Sequence, residues 1–193
     1  MVTSHYARVL YDEGHKSIFL KFSYKYLSEA INLNLFDEAK FAFQNAINNM
    51  KSYFGEQFLV EIPDLSHYKM KGSYNEKKYR KWCLKLRLFL NPLNDLTTED
   101  IASNDCLHLP DLLVKIEAPP IYHTIFNQIK QEYVTARFLL FEGLNNKRTH
   151  FSDKDNLLVD TFDYSHYSLC SEKVKIAFRI CYSILDKIGY LMN

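Results

Sequence analysis

The sequence has few of the residues that interrupt helices, and this shortage limits the fold. Its 193 residues include only 5 glycines and 5 prolines, whereas tyrosine and phenylalanine occur 14 times each. Glycine and proline are the residues that most often break helices and form tight turns. A chain with few of them and many long side chains favours helices joined by a small number of irregular crossings. We therefore predict an all-α fold, built as a helical bundle.

Three further absences narrow the class of protein. The net charge is only +1, so no global field attracts the chain to nucleic acid or to anionic lipid. No apolar run is long enough to cross a bilayer, and the N-terminus lacks the apolar core of a signal peptide. No Cys-x-x-Cys pair occurs, which is typical of buried free thiols in a reducing cytoplasm. The cysteines are Cys83, Cys106, Cys170 and Cys181. We expect a cytoplasmic protein that does not contact the membrane.

Motifs for cofactors, metals and nucleophilic catalysis are missing as well. The sequence has no glycine-rich phosphate loop and no Gly-x-Ser-x-Gly elbow. Its seven histidines never occur as a helical pair, and His166 with Cys170 is too little for a zinc site. We therefore predict neither a cofactor nor a bound metal.

Apolar residues recur at helical spacing in the N-terminal part of the chain. The stripes over residues 17–33 and 36–54 predict a helical hairpin that occupies residues 1–53. This hairpin is either a degenerate tetratricopeptide-like unit, the end of a repeat array, or a plain hairpin. The segment Phe58–Ile62 could add one short strand. A third helix is predicted over residues 75–90, where Pro92 should end it.

Two long helices are predicted in the C-terminal part, within a partial helical domain over residues 54–193. One runs from Tyr122 to Glu142 with Gly143 as its cap, and the other from Ser168 to the end. The last helix has no stop signal, so the bundle is expected to be incomplete at the C-terminus and to expose a wide apolar face there. Its predicted inward stripe consists of Val174, Ala177, Phe178, Cys181, Leu185, Ile188 and Met192.

One stretch has a strong local charge. Between His67 and Arg87 the sequence has eight basic residues, one acid and several aromatic residues. Basic groups neutralise phosphates and aromatic rings stack on unpaired bases, so this stretch is a candidate RNA-binding face. The alternatives are a solvated helix face, or neutralisation by the acidic section that follows. Tyr79 and Trp82 lie on the apolar side and are expected in the core. The RNA-binding candidates on the outer face are Lys77, Lys78, Lys81 and Lys85.

A second polar pattern involves the two long helices. Glu172, Arg179 and Asp186 are seven residues apart and share one side of the last helix. Glu132 and Arg137 on the preceding long helix could face them. Acids near an arginine in a bundle cleft could hold a catalytic group or a phosphate. The alternative is a set of surface ion pairs. The polar cleft candidates are Glu132, Arg137, Arg179 and Asp186.

Four blocks of sequence carry a family resemblance. The blocks are WCLKLRLFLNPLNDL at Trp82–Leu96, LHLPDL at Leu107–Leu112, IFNQIKQEYVTARFLLFEG at Ile125–Gly143, and the stretch from His150 to Asn193. Together they resemble one branch of the HEPN superfamily, a branch whose label begins with LA. Members of this branch often follow tetratricopeptide-like helices. The resemblance implies a helical bundle that forms homodimers when full length. It also implies RNA binding or metal-independent RNA cleavage in toxin–antitoxin or phage-defence systems, with RNA, a protein partner or an antitoxin as candidate partners.

The active members of the superfamily resemble one another in an arginine followed about four to six positions later by a histidine. The histidine exchanges the proton of a ribose 2′-hydroxyl and the arginine holds the phosphate. Between Phe54 and Asn193 this chain has no such pair, and Arg8 with His15 is treated as a chance match. Its catalytic residues are therefore unknown, and the chain as given is expected to be inactive. Either it is a fragment that lost the pair, or this member does not cleave RNA. The alternative function is a helical protein-interaction or dimerisation module.

Overall fold

The computed structural model describes most of the chain. The described residues are 13–61, 65, 68–109, 120–146, 149–156 and 167–192, with the backbone alone for residues 13–16. Every regular element within these ranges is a helix, which confirms the predicted all-α class. The chain divides into two compact units, one up to Pro110 and one from Asp111 onward. The predicted boundary after residue 53 falls inside the first unit, and as a boundary between a hairpin and a family domain it stays a prediction.

The first unit begins with two helices that pack as a hairpin, α1 (Glu13–Ile31) and α2 (Asp37–Phe54). Gly55, with a φ of 79°, then turns the chain into a short helix, α3 (Glu56–Val60). The strand predicted from Phe58 is therefore wrong, although Ile62 lies outside the described residues. The helical turn places Leu59 in one apolar cluster with residues from both arms of the hairpin. Those residues are Leu27, Ile47 and Met50.

The next helix, α4 (Tyr74–Lys85), ends five residues before its predicted end at residue 90. Arg87 adopts a φ of 56°, and its amide donates to the Leu84 carbonyl at 3.1 Å. The amide of Leu88 donates to the Cys83 carbonyl at 3.0 Å. These two bonds form a Schellman motif, which satisfies the last carbonyls of the helix and reverses the chain. The helix therefore stops well before Pro92.

Two buried asparagines organise the loop that follows α4. Asn94, which is fully buried, accepts from the Phe89 amide at 3.2 Å and donates to the carbonyls of Leu84 and Thr97 at 3.1 and 3.3 Å. Asn91 donates to Asn104 at 2.8 Å and accepts from the Leu93 amide at 3.0 Å. These side chains replace the backbone bonds that a helix would supply. The loop also contains α5 (Leu93–Leu96) and a 3₁₀ turn at Asp100–Ala102.

The apolar core of the first unit joins α1 to this loop. Phe19 is fully buried on α1, and Leu93 and Ala102 are fully buried in the loop. Tyr79 and Trp82 of α4 are partly buried against the same cluster, as the sequence predicts. Packing on this side of α4 leaves the opposite side of the helix facing solvent.

The second unit is built on two long antiparallel helices, α6 (Ile121–Asn145) and α7 (Leu169–Met192), which match the two predicted long helices closely. Gly143 is not the predicted cap, because α6 continues for two residues beyond it. A Cβ atom at Gly143 would lie 2.7 Å from the Cys170 carbonyl oxygen and 2.7 Å from Val174 Cγ2. The glycine therefore allows the backbone of α7 to approach α6 closely.

The stripe of α7 that packs against its neighbours differs from the predicted one. Ala177 and Ile184 are buried, whereas Phe178, Leu185 and Met192 from the predicted inward stripe are exposed. Cys181 is exposed as well, so the expectation that the four free cysteines are buried holds for Cys83 but not for Cys181. Among the described residues, no helix is long and apolar enough to span a membrane.

Candidate nucleic-acid interface

The start of α4 is fixed by a side-chain cap and by an acid that folds back on it. Ser73 is the N-cap residue, and its hydroxyl accepts from the Glu76 amide at 3.3 Å. The Glu76 carboxylate lies over Gly72, where a Cβ atom would collide with it, and the φ of 120° at Gly72 also favours glycine. These contacts hold the first turn of α4, from which the lysines of the helix follow, in place.

Four lysines of α4 form one continuous exposed surface, which we call the lysine face. Residues three, four and eight positions apart project from one side of a helix. All four side chains are exposed, and none makes an ion pair with any residue that the structure describes. The face consists of Lys77, Lys78, Lys81 and Lys85. The structure thus places the four predicted RNA-binding candidates together, with no acid of the described residues paired to them.

The other charged groups of α4 are engaged away from the lysine face. Arg80 donates from Nε and Nη2 to Glu76 Oε1 at 3.1 and 2.7 Å, and from Nη1 to the Ser103 carbonyl at 3.1 Å. Because this arginine neutralises the single acid of the helix, Glu76 does not cancel the lysines. A phosphate approaching α4 would therefore meet four cations.

Tyr74, one of the aromatic residues within the basic stretch, belongs to the same side of α4 but was not among the predicted binding candidates. Its side chain is 83% exposed, whereas Tyr79 and Trp82, the other aromatic residues of the helix, are partly buried. Its spacing of three, four and seven residues from Lys77, Lys78 and Lys81 is the signal that could have identified it.

The polar cleft candidates are not joined as one site. Glu132 accepts from Lys187 of α7, and Glu142 accepts from Lys173, so lysines rather than Arg179 provide the cations at this interface. Arg137 is buried, with its guanidinium 5.6 Å from the centre of the Tyr133 ring. Arg179 and Asp186 are exposed and make no ion pair with any described residue.

The ion pair with Lys187 shifts the protonation equilibrium of the Glu132 carboxyl group. The hydrogen bond from Lys187 lowers the pKa of Glu132 below its usual 4.5, although partial desolvation opposes the shift. Gln128 donates to the same oxygen, Oε1, at 3.0 Å, while the buried Oε2 has no hydrogen-bond partner among the described residues. The ion pair with Lys187 thus links α6 to α7.

The outer side of α7 is apolar over most of its length. Phe178 and Tyr182 contact each other edge to face, with ring centres 4.8 Å apart. Leu185 and Met192 follow at helical spacing and are 63% and 82% exposed. We call Phe178, Tyr182, Leu185 and Met192 the apolar face of α7. A surface of this kind marks an interaction site more often than a solvated one.

A comparison with known protein families gives a match within the second unit. Residues 113–193 match the family described as LA2681-like HEPN, and this stretch contains both long helices. This match supports membership of the HEPN superfamily for that segment. No curated protein and no solved structure matches the chain. The match confirms the HEPN resemblance of the two sequence blocks that begin at Ile125 and His150. The lysine face of α4 lies before the matched segment.

Proposed function

We propose that the chain is an RNA-binding protein of HEPN type that does not itself cleave RNA. The family match over residues 113–193 supports the HEPN type, and the sequence of that segment contains no Arg…His pair of the expected spacing. The observation that carries the RNA-binding part is the lysine face of α4. The free thiols lead us to expect a cytoplasmic location, and the family resemblance suggests a role in a toxin–antitoxin or phage-defence system with a protein partner or antitoxin.

The dimensions of the lysine face suit a nucleic-acid backbone. Lys77 and Lys85 are eight residues apart, about 12 Å along the axis at 1.5 Å per residue. A protein that neutralises phosphates releases condensed counterions, so its affinity falls as salt rises. The four lysines have no intramolecular partner among the described residues, so binding a phosphate breaks no ion pair within that part of the chain.

Charge reversal across the lysine face tests this proposal. We expect the fourfold lysine-to-glutamate variant at residues 77, 78, 81 and 85 to bind a labelled RNA at least about tenfold more weakly, because attraction is replaced by repulsion. Fluorescence anisotropy at fixed salt measures the affinity. The matched control reverses four exposed lysines scattered over the chain, Lys25, Lys40, Lys154 and Lys175.

The control has the same net charge as the test variant, so it separates a local surface from a global effect. The proposal requires a clear loss in the test variant and a much smaller loss in the control. Equal losses in both variants, or no RNA binding by the original chain, would remove the lysine face from the argument.

A second candidate function, a protein-interaction or dimerisation module, is favoured by the apolar face of α7. We propose a second copy of the chain as its partner. In an antiparallel pair of α7 helices with a twofold axis near Tyr182, Arg179 of each copy would lie opposite Asp186 of the other. Both residues are exposed and unpaired in the described part of the chain. Self-complementary charges beside an apolar stripe are what a twofold interface requires.

A charge on the apolar face of α7 tests the second candidate. Leu185→Glu should convert a dimer to a monomer in analytical ultracentrifugation, because it buries a carboxylate against apolar side chains. Leu33→Glu is the matched control, since Leu33 is 65% exposed on the first unit and Leu185 is 63% exposed. A monomeric original chain, or a dimer that survives Leu185→Glu, would contradict pairing through α7.

A further inference from the structure

We propose that Tyr74 is a base-stacking residue and that the lysine face therefore selects single-stranded RNA. The inference rests on the proposed RNA binding and adds the class of RNA that this site takes. It is carried by the position, exposure and surroundings of one aromatic side chain.

Tyr74 lies within the arc of the lysines. Successive residues of an α-helix are rotated by about 100°. On this basis the direction of Tyr74 falls between those of Lys81 and Lys85 when the helix is viewed along its axis. Because Tyr74 is the first residue of α4 and Lys85 is the last, the ring stands at one end of the face and the lysines continue from it. A strand following the lysines would pass the ring.

Among the described residues, the ring of Tyr74 makes no contact that explains its presence. Its side chain is 83% exposed, and no ring contact, cation–π contact or hydrogen bond of its side chain occurs among the described residues. The other two aromatic residues of α4 supply apolar area to the core of the first unit. Tyr74 therefore contributes little to folding, and its apolar surface is available to a ligand.

The backbone beneath Tyr74 is held in place. The cap formed by Ser73 and the ion pair between Glu76 and Arg80 fix the first turn of α4. A tyrosine side chain has only two rotatable bonds to order, so stacking on it costs little conformational entropy. The structure thus combines a fixed backbone, an exposed ring and adjacent cations.

Stacking on the Tyr74 ring would favour single-stranded RNA over duplex RNA. In an A-form duplex the bases are stacked on one another, and the grooves do not present a base face to a side chain. An unpaired base offers its face, and stacking on an aromatic side chain is largely indifferent to base identity. The lysines alone would bind either form, whereas Tyr74 adds affinity for the unpaired form.

Replacement of the ring tests this inference with two probes, a labelled oligouridylate and a labelled RNA duplex of equal charge. We expect Tyr74→Ala to weaken oligouridylate binding by about 5- to 100-fold, the loss typical of one stacked base. Duplex binding and the salt dependence of both probes should stay unchanged. Tyr74→Phe should retain the affinity, because it keeps the ring.

Tyr53→Ala is the matched control, since Tyr53 is 82% exposed on α2 and lies outside the lysine face. If the fourfold lysine variant loses RNA while Tyr74→Ala binds the oligouridylate normally, base stacking is overturned and RNA binding stands. Equal losses for the single strand and the duplex would also overturn it. If the original chain binds neither probe, the proposed function fails and this inference fails with it.

Discussion

The helices α4 and α7 use their apolar residues in opposite ways. α4 buries Cys83 and Leu84, packs Tyr79 and Trp82 against the core and exposes lysines. α7 buries small or β-branched residues such as Ala177 and Ile184, and it exposes Phe178 and Leu185. The exposed surface of α4 suits a charged polymer, and that of α7 suits another protein surface. One chain thus carries two surfaces that call for different classes of partner.

The largest expected effect concerns the loop that anchors α4. Asn94→Ala should lower the free energy of unfolding by about 3 kcal/mol, because it leaves the Phe89 amide and the Leu84 carbonyl buried without a partner. Urea denaturation followed by circular dichroism measures the change. Asn45→Ala, at an exposed position of α2, should change it by less than about 0.5 kcal/mol. A similar small change at Asn94 would show that the loop does not hold α4.

Replacing each of the two glycines of the second unit with alanine should change the stability in opposite directions. Gly143→Ala should destabilise the pairing of α6 with α7 by about 1–3 kcal/mol, because the new methyl group meets backbone and Val174 at 2.7 Å. Gly189→Ala has open space around it and should stabilise α7 by about 0.5–1 kcal/mol. Thermal denaturation of both variants makes the comparison. Stabilisation by Gly143→Ala would contradict the close approach of the two helices.

The smallest effect is the pH dependence of the ion pair between Glu132 and Lys187. The folded-state pKa of Glu132 lies below 4.5, so the stabilisation is complete above that pH and is lost as pH falls through the lower, folded-state value. Glu132→Gln should cost about 0.5–1 kcal/mol near neutral pH and less at an acidic pH well below 4.5. Denaturation at both pH values measures the difference. Glu172→Gln, which affects an exposed pair within α7, is the control. A pH-independent cost would refute the assignment.

The sequence predicted α4 and α7 to different degrees. The inner side of α4 followed from its pattern, because its charges occupy one side and leave only one apolar side to pack. α7 has apolar residues on more than one side, so the pattern could not decide which side meets α6. The decision depends on Gly143 and on the lysines that reach Glu132 and Glu142, which are contacts between distant segments. The early end of α4 was missed for a local reason, since Arg87 adopts a conformation that more often indicates glycine or asparagine.

The salt dependence of RNA binding tests the central claim most directly. If the four lysines each neutralise one phosphate of a single strand, the logarithm of the affinity should fall with the logarithm of the salt concentration with a slope of about −3. Lys81→Gln should reduce the magnitude of that slope by about 0.7. A slope near zero in the original chain, or one that Lys81→Gln leaves unchanged, would contradict RNA binding through the lysine face of α4.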